Sequence, residues 1–92
     1  MFGYGVLKSM QIYNFNGQRN VIGPTVLKLR KERKMTQVQL AEQLQLHGVD
    51  ISSVTVLRIE KSLRFVTDYE VAPLAFIFNV SVEDLYPENF FE

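Results

Sequence analysis

The chain has 92 residues, 47% of them hydrophobic and 22% charged, with ten cations balancing ten anions. That length and composition make one globular core and leave too little chain for a second. Cysteine is absent, which excludes disulfide frameworks, thiolate metal sites and cysteine nucleophiles, and no run of about 18 or more apolar residues offers a membrane span.

Residues 1–21 do not follow a helical pattern. Gly3, Gly5 and Gly17 interrupt it, and Ile12, Tyr13 and Phe15 favour extended backbone. Asn16-Gly17 is a two-residue hairpin signal, since both positions tolerate positive φ. A short hairpin of residues 11–15 with 18–22 fits this segment, and so does an unpaired arm, because an isolated hairpin is marginal in water. Met10 offers an alternative start. With Lys8 as its early cation and no long apolar stretch, the N-terminus is not expected to be a secretory signal, and a cytoplasmic setting is the expectation.

Gly23-Pro24 opens the first helix, where proline gives up a donor that has no partner in any case. Val26, Leu29, Arg30 and Arg33 recur at three- and four-residue spacing on one face, with cations toward the C-terminal half where the helix dipole favours them. After a break at Met35, Thr36 with Gln39 is a capping-box pattern that starts a second helix with Leu40, Ala41 and Leu44 as its buried stripe. Residues 45–50 read as the following turn, with Gly48 suited to a left-handed conformation. Ser52 caps a third helix that runs to about Lys61, with Val56 and Ile59 inward and Ser53, Val54, Leu57 and Arg58 outward. Thr67 with Glu70 begins a fourth helix through Leu74, Ala75 and Phe78, inside which Pro73 should bend or weaken the helix. Ser81 with Asp84 starts a short fifth helix around Leu85 that Pro87 stops. The expected fold is all-α, a five-helix bundle over residues 22–92 behind a short N-terminal arm or hairpin over residues 1–21.

Net charge zero conceals a split. All ten cations lie at or before Arg64 against four anions, a balance of +6, and the remaining residues carry a balance of −6. A basic body with an acidic end is the distribution expected of a chain with one face turned to phosphate.

Leu29-Arg30, Met35-Thr36-Gln37, Leu40-Ala41, Leu44, Gly48-Val49 and Arg58-Ile59-Glu60 together resemble the Cro/phage-repressor type of helix-turn-helix, the XRE family. The resemblance spans residues 22–87. It implies that the second and third helices form the motif and that the third, residues 52–61, lies in the major groove of double-stranded DNA. By that resemblance Ser53, Val54, Leu57 and Arg58 face the bases. Arg58 suits guanine O6 and N7, Ser53 suits a base or a phosphate, and Val54 and Leu57 suit thymine methyls. Gln37 would hold a phosphate at the start of the second helix. Lys28, Lys31, Lys34, Lys61 and Arg64 are candidates for sequence-independent phosphate contacts. Arg30 and Glu60 match an ion pair that bridges the first and third helices, a structural role. The turn after the second helix is longer than the tight turn of the family.

The implied function is a sequence-specific DNA-binding transcriptional regulator, a repressor by family type, acting as a homodimer in a bacterial or phage setting. Val54 and Leu57 on the reading face, with zero net charge, support an alternative, a protein-interaction module or an antitoxin that uses the same fold with weak or no DNA binding. No enzyme is expected, because a glycine-rich phosphate loop, a metal-ligand cluster and a nucleophile beside the single histidine are all missing from the sequence. His47 reads as a turn-surface residue rather than a ligand, and no metal or cofactor is expected. Phe76, Phe78, Tyr86, Phe90 and Phe91 read as core and end-packing, with some of them available for a dimer contact.

Overall fold

A computed structural model describes residues 17–91 of the chain. The first half of the expected hairpin, residues 11–15, lies outside the described residues. Four α-helices follow in order, α1 (Gly23–Glu32), α2 (Gln37–Leu46), α3 (Ser53–Glu60) and α4 (Asp68–Phe78), and a 3-10 turn (Val82–Leu85) closes the series. No strand occurs among the described residues. Of residues 18–22, offered as the second half of a hairpin, Gln18 takes part in a β-bridge and the following residues lead into α1. Gly17, with φ of 79°, keeps the positive-φ conformation expected of it.

The fifth helix of the sequence reading is the 3-10 turn. The Ser81 N–H donates to Asp84 Oδ2 at 3.0 Å, which nucleates the element. Tyr86 is then extended, at φ −88° and ψ 157°, as a residue before proline must be. Four residues between those two constraints close i→i+3 bonds and no α-helical ladder.

The two earlier starts follow their caps. Thr36 Oγ1 accepts from the Gln39 N–H at 3.0 Å while Gln39 Oε1 accepts from the Thr36 N–H at 2.8 Å, and Ser52 Oγ accepts from the Thr55 N–H at 3.3 Å. Helix α2 runs further than expected. Gln45 and Leu46 are helical rather than turn, and the connection is residues 47–52. Gly48, at φ 83°, turns the chain. The Gln45 amide then donates to the carbonyl of buried Ile51 at 2.8 Å, tying the connection to the end of α2.

Helix α4 continues through Pro73 without a break. The carbonyl left without its helical donor belongs to Tyr69, an exposed residue, where water can serve. Leu74, Ala75 and Phe78 reach the core, but Phe76, expected among them, is 70% exposed. Two residues apart on a helix fall on nearly opposite faces, so Phe76 and Phe78 cannot both point inward. Val26 from α1, Leu40 and Leu44 from α2, Val56 and Ile59 from α3, Leu74 and Phe78 from α4 and Leu85 are fully buried and form one core.

Arg64 and Glu70 brace the approach to α4, with the two guanidinium nitrogens Nη1 and Nη2 each 2.8 Å from a carboxylate oxygen. Burial pushes the Glu70 carboxyl up, but the hydrogen bonds from Arg64 and Thr67 and the Arg64 charge outweigh it and hold it below the ordinary value. A carboxylate with a depressed folded pKa stabilises the fold above its unfolded value, about 4.3, and loses that contribution as pH falls through the folded one. Thermal melts of the wild type and Glu70→Gln should therefore differ most near neutral pH and converge in acid. A gap independent of pH would assign the effect to packing.

Candidate functional site

Helix α3 is held by its inner face and its C-terminal end. Val56 and Ile59 sit in the core at 1% exposure. Glu60, also buried, accepts from Arg30 Nε at 2.5 Å and Nη2 at 3.1 Å, which ties α3 to α1 as the resemblance implied. Arg30 Nη1 donates in addition to the Met35 carbonyl at 2.8 Å, at the break between α1 and α2. Gln37 completes the cluster by donating its amide to Glu60 Oε1 at 3.0 Å. One carboxylate thus gathers α1, the start of α2 and the end of α3. Its charge is matched, and it accepts three hydrogen bonds from donors on the other two helices.

The opposite face of α3 is open. Val54 is 63% exposed, Arg58 is exposed, and Ser53 and Leu57 are half-buried. The four side chains singled out from the sequence therefore lie away from the core on one short helix. A guanidinium, a hydroxyl and two apolar groups side by side make a recognition surface for planar acceptors and methyls.

Gln37 and the cations divide into engaged and available groups. Gln37 has one amide N–H committed to Glu60. Arg64 is committed to Glu70 and to the Phe65 carbonyl, which leaves its charge matched. Lys28 borders a cleft with Glu83, Asp84 and Glu88 at the acidic end of the chain, a field that opposes a second anion. Lys31, Lys34, Lys61 and Arg58 are exposed and form no ion pair among the described residues. Arg33, read from the sequence as a member of the α1 face, donates to the Phe78 carbonyl at 3.0 Å and 2.6 Å and closes the C-terminal end of α4.

Two further residues escape the sequence reading. Asn20 Nδ2 donates to the Ile59 and Arg64 carbonyls at 3.1 Å and 2.8 Å, and its Oδ1 accepts from the Gly23 N–H at 2.7 Å. The lead-in to α1 is thereby pinned to the end of α3. An asparagine three residues before a Gly-Pro helix start is a capping signal, and that signal marks the residue. Arg19, its neighbour, borders the same cleft as Arg58, a juxtaposition no local pattern announces.

His47 is exposed, with Nδ1 2.8 Å from the Gln43 carbonyl and its ring 5.2 Å from that of Phe76. No group of three or more metal-ligating side chains occurs among the described residues, and none of their helices is long and apolar enough to cross a membrane. No family model matches the chain, and no curated protein or solved structure matches it.

Proposed function

We propose that the chain is a sequence-specific DNA-binding transcriptional regulator of the XRE type, with α2 and α3 as its helix-turn-helix and α3 as the recognition helix. The observation that carries the reading is the Glu60 cluster. It locks α3 by its inner side and leaves Ser53, Val54, Leu57 and Arg58 facing outward from a rigid mount, which is what reading base edges requires. Available cations on Lys31, Lys34 and Lys61 support a sequence-independent grip on phosphates. Tyr69 and Phe76, 83% and 70% exposed on α4, offer the apolar surface that a second copy needs. A homodimer would place its half-sites about one helical turn, roughly 34 Å, apart.

The test is selection of bound duplexes from a randomised pool, followed by mobility shift with wild type and Arg58→Ala. The expected outcome is one enriched motif. Arg58→Ala should lose roughly 1–3 kcal/mol on it and relax discrimination at one position. Recovery of no common sequence would overturn the reading. The exposure of Val54 on α3 and of Leu46, 77% exposed, at the end of α2 favours a second reading, a protein-interaction module or antitoxin on the same fold. That reading is met if Val54→Asp abolishes partner capture while Arg58→Ala leaves it intact.

A further inference from the structure

The cleft bordered by Gly17, Arg19, Arg58, Ser62 and Leu63 holds about 430 Å³. Among the described residues, two on its walls bear guanidinium groups and none bears a carboxylate. Neither arginine is in an ion pair among the described residues. Two like charges bordering one cleft make its potential positive, and a bound anion is favoured there. We infer that this cleft is a site for a backbone phosphodiester, with Arg19 as its holder beside Arg58. The inference rests on the DNA-binding reading above and adds a partner group to it.

Arg19 is placed, not trailing. Its backbone N–H donates to the Ser62 carbonyl at 2.9 Å, its guanidinium carbon lies 5.7 Å from the centre of the Phe65 ring, and Asn20 next to it is bound to the Ile59 and Arg64 carbonyls. The cation therefore travels with α3, and little ordering is left for binding to impose. A guanidinium within cation–π range of a ring still has N–H donors for an acceptor, the chemistry of Arg–phosphate contacts.

The C-terminal end of α3 opposes an anion, because its dipole is worth roughly half a negative charge. Two full positive charges outweigh it. The last carbonyls are also occupied, with Leu57, Arg58 and Ile59 accepting from the N–H groups of Lys61, Leu63 and Ser62 at 3.0 Å, 2.9 Å and 3.0 Å. What faces an incoming group is the pair of side chains.

Arg58 and Arg19 then divide the work. Arg58 borders both the cleft and the exposed face of α3, within reach of base edges, and Arg19 holds the backbone at the end of the reading helix. A phosphate contact acts on every sequence alike, whereas a base contact acts on one.

The test is a salt series of fluorescence-anisotropy titrations with wild type, Arg19→Ala and Arg19→Lys, on a selected duplex and on an unrelated one. Arg19→Ala should flatten the log–log salt slope by about 1 and weaken both duplexes by the same factor, about tenfold near 0.1 M salt. Arg19→Lys keeps the charge and should keep the slope. If Arg19→Ala binds as wild type does, or binds less well at an unchanged slope with a lowered melting temperature, the phosphate site is overturned and the DNA-binding reading stands. If wild type binds neither duplex, the reading itself fails and takes the site with it.

Discussion

Glu60→Ala should destabilise the fold by about 3–5 kcal/mol, a large share of what a domain of this size possesses. Its carboxylate side chain is 2% exposed and that of Arg30 is 11% exposed. Deleting the carboxylate leaves the Arg30 charge buried and strips the Gln37 amide of its acceptor. The loss is therefore mostly the penalty of an orphaned charge, not the net worth of the pair. That distinction is measurable, because replacing both partners by apolar groups of similar volume is often neutral. Arg30→Met with Glu60→Leu should recover most of the loss in urea denaturation at an unchanged m-value. On the proposed DNA-binding reading, the double variant should bind less selectively, since an apolar contact fixes the angle of α3 less strictly than a bidentate bond does. A single-variant loss under about 1 kcal/mol would mean that water reaches the cluster and screens it.

The parts of the fold legible in the sequence were those set by short-range chemistry. Thr36 with Gln39, and Ser52 before Thr55, announced two helix starts because a cap is a local hydrogen-bond problem with few solutions. Leu40, Ala41 and Leu44 announced a buried stripe by spacing alone. The Arg30–Glu60 pair came from resemblance and stands in the structure as a bidentate contact. The end of α2 is not legible in the sequence, because Gln45 and Leu46 carry no stop signal, and Gly48 marks the residue past the cap, not the last helical one. Of the two places open to Phe76, core or exposed surface, the structure gives the exposed one, because aromatic content says nothing about which face a residue occupies.

The candidate site was legible on α3 and nearly blank around it. Outward residues of one helix follow from the positions of Val56 and Ile59. What Arg64, Lys28 and Arg19 do depends on partners distant in sequence or brought close only by folding. Glu70 takes Arg64 out of the pool of available charges, and Glu83, Asp84 and Glu88 border the cleft at Lys28. Counting cations along the chain cannot separate these cases, since a matched and an unmatched arginine look identical in sequence.

Gly23→Ala is the second substitution with a large expected effect, and its sign runs against helix propensity. Gly23 is the first residue of α1, where alanine would ordinarily gain up to about 1 kcal/mol over glycine. Its φ is not in the left-handed region, so conformational freedom is not what the position needs. Space is what it needs. A Cβ there would overlap the Ile59 carbonyl oxygen and sit 2.9 Å from both the Glu60 carbonyl oxygen and Ser62 Oγ. Two of those three atoms are backbone of α3, which cannot rotate away as a side chain would. The start of α1 would have to lift off the end of α3, stretching the Asn20 bonds to Ile59 and Arg64. Overpacking of this kind costs about 1–3 kcal/mol and sometimes more, which exceeds the propensity gain. Gly48→Ala supplies the comparison. It meets nothing within 4 Å but sits at φ 83°, so its loss should be roughly the 1–2 kcal/mol of left-handed strain and should leave the junction of α1 and α3 intact. Hydrogen exchange separates the two variants. Gly23→Ala should speed exchange at the Arg19 and Gly23 amides well beyond the global loss of stability, and Gly48→Ala should not. Equal protection at those amides in both variants would show that the close approach of α1 to α3 is relaxed by an easier route than this geometry allows.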